Sequence, residues 1–244
     1  MCRMVGVVFR DRFPIESLTA LKDVSCSGRV PGRKEAGHRD GWGIVAFNDG
    51  TPEYVGRSTE WACQDPGFES ALDQVMITKP PSILIAHTRA ASTGGAKLEN
   101  THPFIVDGIA LAHNGTINGF APSTKRARKG DTDSELLALV LVDRCEEMDD
   151  TKKALKSVIR EEVDTHEFSA VVLLVSDGKK LFGYRDYSSE KTAAYYDLNV
   201  LSQSGSVVLF QESPKQLTGQ LSQIRKRELV TIGMDLKVDR EMIG

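Results

Sequence analysis

The sequence predicts an α+β domain in which helices cover two β-sheets. Strands with a few helices come first, two helices then follow one another, and several more strands complete the order. A doubly wound parallel sheet would require strand and helix to alternate, so it fits this order poorly. No segment repeats at a period of about 20–50 residues, which disfavours a solenoid or a propeller. The 244 residues contain no long Pro/Gly/Ser-rich linker, so we expect a single domain over residues 1–244.

Hydrophobic periodicity locates the elements of this domain. Short aliphatic and β-branched runs bounded by Gly, Pro, Asp or Asn predict ten strands. They are Met4–Phe9, Gly43–Phe47, Glu53–Gly56, Ile83–His87, Ile109–His113, Ser169–Ser176, Lys180–Tyr184, Tyr195–Leu201, Val207–Phe210 and Leu229–Gly233. Amphipathic patterns predict four helices, at Ile15–Asp23, Gly67–Ile77, Asp133–Glu147 and Thr151–Val163. The third is the clearest, because Thr132 or Asp133 can cap its start and aliphatic residues line one face.

Composition excludes several classes of function. A formal net charge of −3 is unlike that of a globally basic nucleic-acid binder, so we expect no nucleic-acid partner. The longest apolar runs, Leu136–Val142 and Ala170–Val175, fall far short of the roughly 18 residues of a membrane span. The first residues also lack the long apolar stretch of a signal peptide. We therefore expect a cytoplasmic protein without membrane association.

The four cysteines are scattered and form no CxxC pair. They are too sparse for a disulfide scaffold, which predicts a reducing compartment. Cys26, Cys63 and Cys145 are therefore expected to be ordinary reduced thiols. Cys2 differs from them because of its position in the chain.

Cys2 becomes the first residue if the initiator methionine is removed. An N-terminal cysteine carries its own base, since an α-amine with a pKa of about 7.7–8.0 is partly neutral near pH 7 and can accept the thiol proton. If Met1 is retained, Cys2 has an amide nitrogen and this base is absent. A cysteine at position 2 can also be an accident of translation.

The strand predicted at Ile83–His87 delivers a polar run, His87-Thr88-Arg89, at its C-terminal end. The planar guanidinium of Arg89 suits bidentate capture of a carboxylate. Ser92 and His102 follow within the next polar segment. The alternative for Arg89 alone is a surface or structural ion pair.

Two further motifs contain groups that could act on a substrate. Asn114 offers an amide donor and Gly115 an unobstructed backbone N–H, and such a pair at a strand end can form an oxyanion hole. Asn-Gly between apolar runs is equally a hairpin-turn signal. Asp133 can cap the third helix or leave its carboxylate free for a ligand's ammonium group.

Together these motifs resemble the glutaminase domain of class II glutamine amidotransferases, the N-terminal nucleophile hydrolases with a leading cysteine. The matching segments, in order, are Met1-Cys2-Arg3, Asp40–Ile44, His87-Thr88-Arg89, Asn100–Phe104, His113-Asn114-Gly115 and Thr132–Glu135. Each is weak alone, but six in register are a strong signal. The resemblance is to the small stand-alone branch of the family, and it implies a four-layer αββα sandwich.

The resemblance also implies roles. Cys2 would attack the side-chain amide of glutamine, releasing ammonia and then glutamate, and Asn114 and Gly115 would hold the oxyanion. Arg89 would bind the substrate carboxylate and Asp133 its ammonium, with Thr88 and Ser92 as further substrate-binding residues. His38, Arg39 and His102 are weaker candidates beside the nucleophile.

The chain departs from the hexosamine-phosphate synthase branch after Arg89, with Ala90 in place of Trp and Thr93 in place of His. The substrate is therefore glutamine or another γ-glutamyl amide. Three hypotheses follow: a glutaminase that hands ammonia to a separate synthase subunit, a hydrolase of a γ-glutamyl metabolite without such a partner, or a non-catalytic regulatory protein.

Three histidines flank the motifs, namely His87, His102 and His113. They lack the spacing of a helical metal-binding motif and have no obvious carboxylate ligand beside them. We expect no metal and no cofactor.

Overall fold

The computed structural model describes residues 2–80, 82–211 and 216–244, which form thirteen strands and four α-helices. The strands are β1 Arg3–Phe9, β2 Trp42–Asn48, β3 Thr51–Ser58, β4 Ser82–Thr88, β5 Phe104–Val106, β6 Ile109–Ile117, β7 Phe168–Ser176, β8 Lys180–Tyr187, β9 Asn199–Gln203, β10 Ser206–Phe210, β11 Gln220–Gln223, β12 Glu228–Gly233 and β13 Val238–Met242. The helices are α1 Glu16–Ser27, α2 Pro66–Met76, α3 Asp133–Met148 and α4 Thr151–Glu161.

The strands form two antiparallel sheets. The first has the order β11-β9-β10-β1-β4-β2-β3, and the second has the order β13-β12-β8-β7-β6-β5. β1 therefore lies in the middle of the first sheet between β10 and β4, and β6 lies between β5 and β7 in the second. Cys2 directly precedes β1, and Asn114 lies inside β6.

Apolar side chains form three cores, one between each pair of neighbouring layers. One core lies between the two sheets, one between the first sheet and α1 and α2, and one between the second sheet and α3 and α4. This αββα arrangement confirms the predicted fold class. The layers follow from strands that are apolar on both faces, as in β1, where Met4 and Val8 face the other sheet while Val5 and Val7 face the helices.

Helix α3 begins where the sequence predicts. Thr132 is its N-cap, and its Oγ1 accepts a hydrogen bond of 3.2 Å from the Glu135 amide. Residues 134–143 are buried without interruption, because α3 lies between the second sheet and α4.

The predictions missed three short strands, β5, β11 and β13, which lie at the ends of their sheets. Much of β11 and β13 is exposed, so neither has the apolar alternation that marks a strand in sequence. The strand predicted at Tyr195–Leu201 begins later, at Asn199, because Glu190–Tyr196 forms a 3₁₀ helix. Helix α1 extends to Ser27, beyond its predicted end.

Cys26 and Cys63 form a disulfide, so the prediction that both are reduced thiols is wrong. The bond joins the end of α1 to the segment after β3, 37 residues later. The Trp61 indole donates to the Ser25 carbonyl at 2.7 Å and holds the same two segments together, a contact that cysteine spacing cannot reveal. This pair gives no support to the inferred reducing compartment. Cys145 is free, as predicted.

Within the described ranges, no helix is both long enough and apolar enough to cross a lipid bilayer.

Candidate active site

Cys2 lies at the centre of the first sheet and is bonded to a residue of the second. Its backbone nitrogen donates to Asn114 Oδ1 at 2.8 Å, and Asn114 Nδ2 donates to the Cys2 carbonyl at 2.9 Å. Only 7% of Cys2 is exposed and Asn114 is fully buried. The two strands therefore place the candidate nucleophile and an amide donor side by side across the sandwich. Met1 lies outside the described residues.

Asn114 and Gly115 lie inside β6, so the hairpin-turn interpretation is wrong. Gly115 has a φ of 146°, and the pairing of β6 with β7 shifts register between Gly115 and Ile117. A Cβ atom at position 115 would lie 1.8 Å from the Ala170 carbonyl oxygen. Only glycine fits here, which lets the strand bend without a turn.

Both amide protons of Asn114 are engaged. The second donates to Gln211 Oε1 at 3.0 Å, and Gln211 follows β10, on the side of β1 opposite β4. An oxyanion would therefore replace one of these two acceptors. Motif spacing gave no sign of Gln211, which reaches the site through sheet order alone.

The thiol of Cys2 is acidic for a cysteine. Burial raises its pKa, but the charge at the amino terminus, electrostatic interaction with His87, and hydrogen bonding from His87 and the Ala90 backbone outweigh burial and lower the pKa to about 5. A thiol with this pKa is mostly thiolate at neutral pH, which is the nucleophilic form.

Arg89 lies opposite Cys2 at the end of β4 and is 3% exposed. Its Nη2 donates to the Thr93 carbonyl at 2.7 Å and its Nη1 to the Gly95 carbonyl. Among the described residues its guanidinium forms no salt bridge, which argues against the ion-pair alternative. Asp40, which pairs with Arg33, holds the segment after Arg89 in place, because its carboxylate accepts a hydrogen bond of 2.7 Å from the Ala91 amide.

Asp133 is half-buried in the first turn of α3, where Thr132 rather than Asp133 acts as the cap. Asp133 Oδ2 accepts a hydrogen bond of 2.7 Å from the Ile117 amide at the end of β6. The carboxylate thus fastens the helix to the strand that carries Asn114. It retains acceptor capacity for a second partner.

The other two substrate-binding candidates lie on different sides of the first sheet: Ser92 meets the end of β6, whereas Thr88 pairs with Trp42 and faces the helices. Ser92 Oγ is 3.0 Å from Thr116 Oγ1, so the segment after Arg89 meets the end of β6. The Thr88 hydroxyl is buried without a hydrogen-bond partner in the described part of the chain.

His38 and Arg39, the weaker candidates beside the nucleophile, occupy different environments. His38 is buried, with Nδ1 3.2 Å from the Val24 carbonyl and Nε2 3.4 Å from the Tyr195 hydroxyl. Burial and the charge of Arg3 lower the pKa of His38 to about 3, so this ring is neutral. Arg39 is exposed, pairs with Glu35 at 2.6 Å and lies over the Trp61 ring, so the structure does not bring it to Cys2.

The three histidines of the motifs are all buried, and His87 and His113 interact electrostatically with Cys2. His113 bonds to Ser134 Oγ at 2.9 Å on the helix side of β6. The rings of His87 and His102 stack on each other, with centroids 4.3 Å apart. The described residues contain no group of three or more His, Cys, Asp or Glu side chains that could hold a metal ion.

A cavity of about 940 Å³ lies between α1 and the segment that follows it, and it is lined by Arg3, the neighbour of Cys2 in sequence, but not by Cys2 itself. Arg3 and Tyr195 form its inner wall, and Arg3 Nη1 donates to the Cys2 carbonyl at 3.0 Å. The Arg3 guanidinium also lies 3.8 Å from the centre of the Tyr195 ring. Neither residue was singled out by the sequence motifs.

Comparisons with known proteins give a consistent result. Residues 1–213 match the family model described as glutamine amidotransferases class-II. An uncharacterized protein of Methanocaldococcus jannaschii is 31% identical over 202 residues, which are 78% of this chain and 52% of that protein. A glutamine–fructose-6-phosphate aminotransferase (isomerizing) of Corynebacterium diphtheriae is 35% identical over 126 residues, or 50% of this chain and 18% of that enzyme.

A solved structure has a similar fold. Glutamine phosphoribosylpyrophosphate amidotransferase from B. subtilis aligns with a TM-score of 0.67 at 17% identity, over 100% of this chain and 49% of that one. The chain thus spans about half or less of the length of these three proteins.

Proposed function

The chain belongs to the class II glutamine amidotransferases, and we propose that it hydrolyses the side-chain amide of glutamine to glutamate and ammonia. The observation that carries the proposal is the bracketing of Cys2 by Asn114, which sets an acidic thiol beside an amide donor in a buried site. The substrate and the reaction come from the family, and the arrangement of residues supports them.

Cys2 begins the reaction. After removal of Met1, its α-amine accepts the thiol proton and the sulfur attacks the amide carbonyl of the substrate. The tetrahedral intermediate places its oxyanion at Asn114 Nδ2 and the Gly115 N–H. The C–N bond then breaks, the amine returns the proton to the leaving nitrogen, and ammonia departs from a γ-glutamyl thioester. Water then adds to the thioester carbonyl and gives a second tetrahedral oxyanion. This intermediate collapses with cleavage of the C–S bond and releases glutamate and the Cys2 thiol.

Arg89 and Asp133 read the two charged ends of the amino acid. A carboxylate would replace the loop carbonyls as the acceptor for Arg89, and an ammonium group would donate to Asp133. Ser92 adds a hydroxyl to this side of the site, and Thr88 supports it from the helix side of β4. With Ala90 and Thr93 in the loop, part of the contact surface found in the hexosamine-phosphate branch is absent.

The direct test is to incubate purified protein with glutamine and measure glutamate and ammonia. Intact mass first establishes whether Met1 has been removed. Turnover by the wild type that disappears in Cys2→Ala supports the proposal, and Cys2→Ala with full activity would overturn the nucleophile. With the thiol pKa at about 5, the rate should stay level from pH 8 to about pH 6 and fall below pH 5 as the thiolate is protonated. A fall that already begins near pH 7.5 would instead show that a neutral α-amine is required as the base.

The cavity beside Arg3 favours a second candidate, the hydrolysis of a γ-glutamyl amide whose amine portion is larger than ammonia. Its volume is well above what ammonia needs and within the usual range for small-molecule sites. γ-Glutamyl-p-nitroanilide is a suitable probe. A kcat/KM for this probe at least tenfold above that for glutamine, lost in Ala20→Trp at the cavity wall, would favour this candidate.

The fate of the ammonia is a separate matter. A separate synthase subunit would receive it under the first candidate, and no such partner is needed under the second. Absence of turnover on both substrates, with and without candidate partners, would leave the non-catalytic regulatory role.

A further inference from the structure

His87 occupies a place in the site that the proposed reaction has not used. It pairs with Met4 across β1 and with Gly43 across β2, so it lies in the centre of the first sheet. Directly opposed residues of antiparallel strands share a face, as do residues two apart on one strand. The His87 ring therefore shares with Met4 and Cys2 the face that looks toward the second sheet, diagonally across from the nucleophile.

The ring is fully buried, and neither of its nitrogens has a hydrogen-bond partner in the described part of the chain. A buried imidazole normally satisfies at least one ring nitrogen, so an orphaned ring needs an explanation. The neighbouring Cys2 side chain is the partner that the register offers, because Cys2 and His87 lie diagonally on the same face of the sheet. In keeping with this, His87 lowers the pKa of the Cys2 thiol.

A column of rings fixes the orientation of His87. The His102 ring stacks on it at 4.3 Å, and Phe104 packs edge-on against His102 at 4.6 Å. The absence of a side chain at Gly43 makes room for this column, because a Cβ there would lie 2.3 Å from the His102 carbonyl oxygen.

We propose that His87 is a positioning residue for the nucleophile: its ring N–H holds the sulfur of Cys2, and His102 supplies the surface against which the ring is packed. The proposal rests on the proposed function only for its catalytic meaning. The hydrogen bond itself is a property of the resting protein, and it can be tested without turnover.

The charged and titratable groups around the Cys2 sulfur come from several elements. They are the amino terminus, Arg3 at the start of β1, His87 on β4, Arg89 just after it, His113 on β6, and Tyr195 and Tyr196 after β8, and His102 packs against His87. Among these groups, His87 lies on the same face of the first sheet as Cys2 and has no hydrogen-bond partner in the described part of the chain.

The experiment measures alkylation of Cys2 by iodoacetamide from pH 4 to 9, with the site identified by mass spectrometry. The other free thiol, Cys145, is a poor competitor at low pH, because burial raises its pKa to about 11. In His87→Leu we expect the midpoint to rise by at least one pH unit, so that the rate at pH 4, below both midpoints, falls about tenfold. His87→Gln retains an N–H donor and should stay within about threefold of the wild type.

Two further variants separate positioning from simple packing. His102→Phe keeps the stacked ring and removes its nitrogens, so alkylation should match the wild type. His166→Leu removes a histidine that lies against Phe120, away from the column, and should also match. An unchanged pH midpoint in folded His87→Leu would overturn the proposal.

A second measurement covers the case in which His87→Leu fails to fold. The ring ¹⁵N signals of His87 should change on Cys2→Ser far more than those of His166. Equal, negligible changes at both rings would contradict the contact. Failure of the proposed function would show up independently, as absence of glutamate release from wild-type protein whose Cys2 alkylates normally.

Discussion

Asn114 brackets the backbone of Cys2 across the space between the two sheets, accepting from its nitrogen at 2.8 Å and donating to its carbonyl at 2.9 Å. Because the bonded atoms belong to backbone, this contact fixes the position of residue 2 rather than the rotamer of its thiol. The same side chain therefore has a structural task in the resting protein and a second task, at the oxyanion, in the proposed reaction.

Asn114→Asp separates these tasks. It keeps an acceptor for the Cys2 nitrogen and removes the donor, so we expect kcat for glutamine to fall by about 10²–10³, the usual loss for one oxyanion donor. Asn118→Ala, at an exposed position just after β6, is the control and should leave kcat unchanged. An Asn114→Asp enzyme with wild-type kcat would show that Asn114 is not an oxyanion donor.

Asp133→Asn tests the ammonium site. A hydrogen bond to a charged group contributes about 1.5–3 kcal/mol, so KM for glutamine should rise by about one to two orders of magnitude, while kcat stays within threefold. Asp150→Asn is a matched change, because Asp150 is the N-cap of α4 and accepts from the Lys153 amide at 3.0 Å. Equal KM values in the two variants would argue that Asp133 serves only the helix start.

Stability should fall as the pH is lowered from about 6.5 to about 3, because burial lowers the pKa of His38 to about 3. In the unfolded chain a histidine binds a proton below about 6.5, so the unfolded state binds more protons across this window. Thermal unfolding midpoints at successive pH values measure the slope. His38→Asn should flatten it and His166→Asn should not; identical slopes in all three proteins would contradict a buried neutral His38.

The disulfide between Cys26 and Cys63 closes a loop over a sequence separation of 37. On the chain-entropy model such a link stabilises the fold by about 3–4 kcal/mol. Urea unfolding of Cys26→Ser/Cys63→Ser should therefore shift to lower denaturant, and a dithiol reductant should shift the wild type in the same way. Cys145→Ser serves as the control. A wild type that is indifferent to reductant would indicate that the pair is not oxidised in the isolated protein.

Some features of this fold and site can be predicted from the sequence, and others cannot. Helix α3 was located because its cap and its apolar pattern are local signals. Arg89 and Asn114 were found because each lies in a motif at a strand end. Gln211 and His87 were not assigned roles, since their meeting with Cys2 depends on which strands are neighbours in the first sheet. Strand order is a long-range property that periodicity does not encode.

The cysteines show the same limit. Cys26 and Cys63 meet because the end of α1 packs beside the segment after β3, and Trp61 connects the two. Spacing along the chain is silent about such a contact. Arg39 shows the converse: proximity in sequence to the matched motif did not bring its side chain to Cys2, because Glu35 and Trp61 hold it at the surface.

The close contact between Gly115 and the Ala170 carbonyl has a consequence for mutational scanning. Every replacement at position 115 inserts a Cβ where β7 already lies, so all variants there should be lost at the stage of soluble expression. Gly43, against the His102 carbonyl, should behave in the same way. Loss of variants at these two positions would therefore reflect steric exclusion by a neighbouring backbone. A scan that measures abundance and turnover separately would distinguish this effect from a catalytic role, as proposed for Asn114.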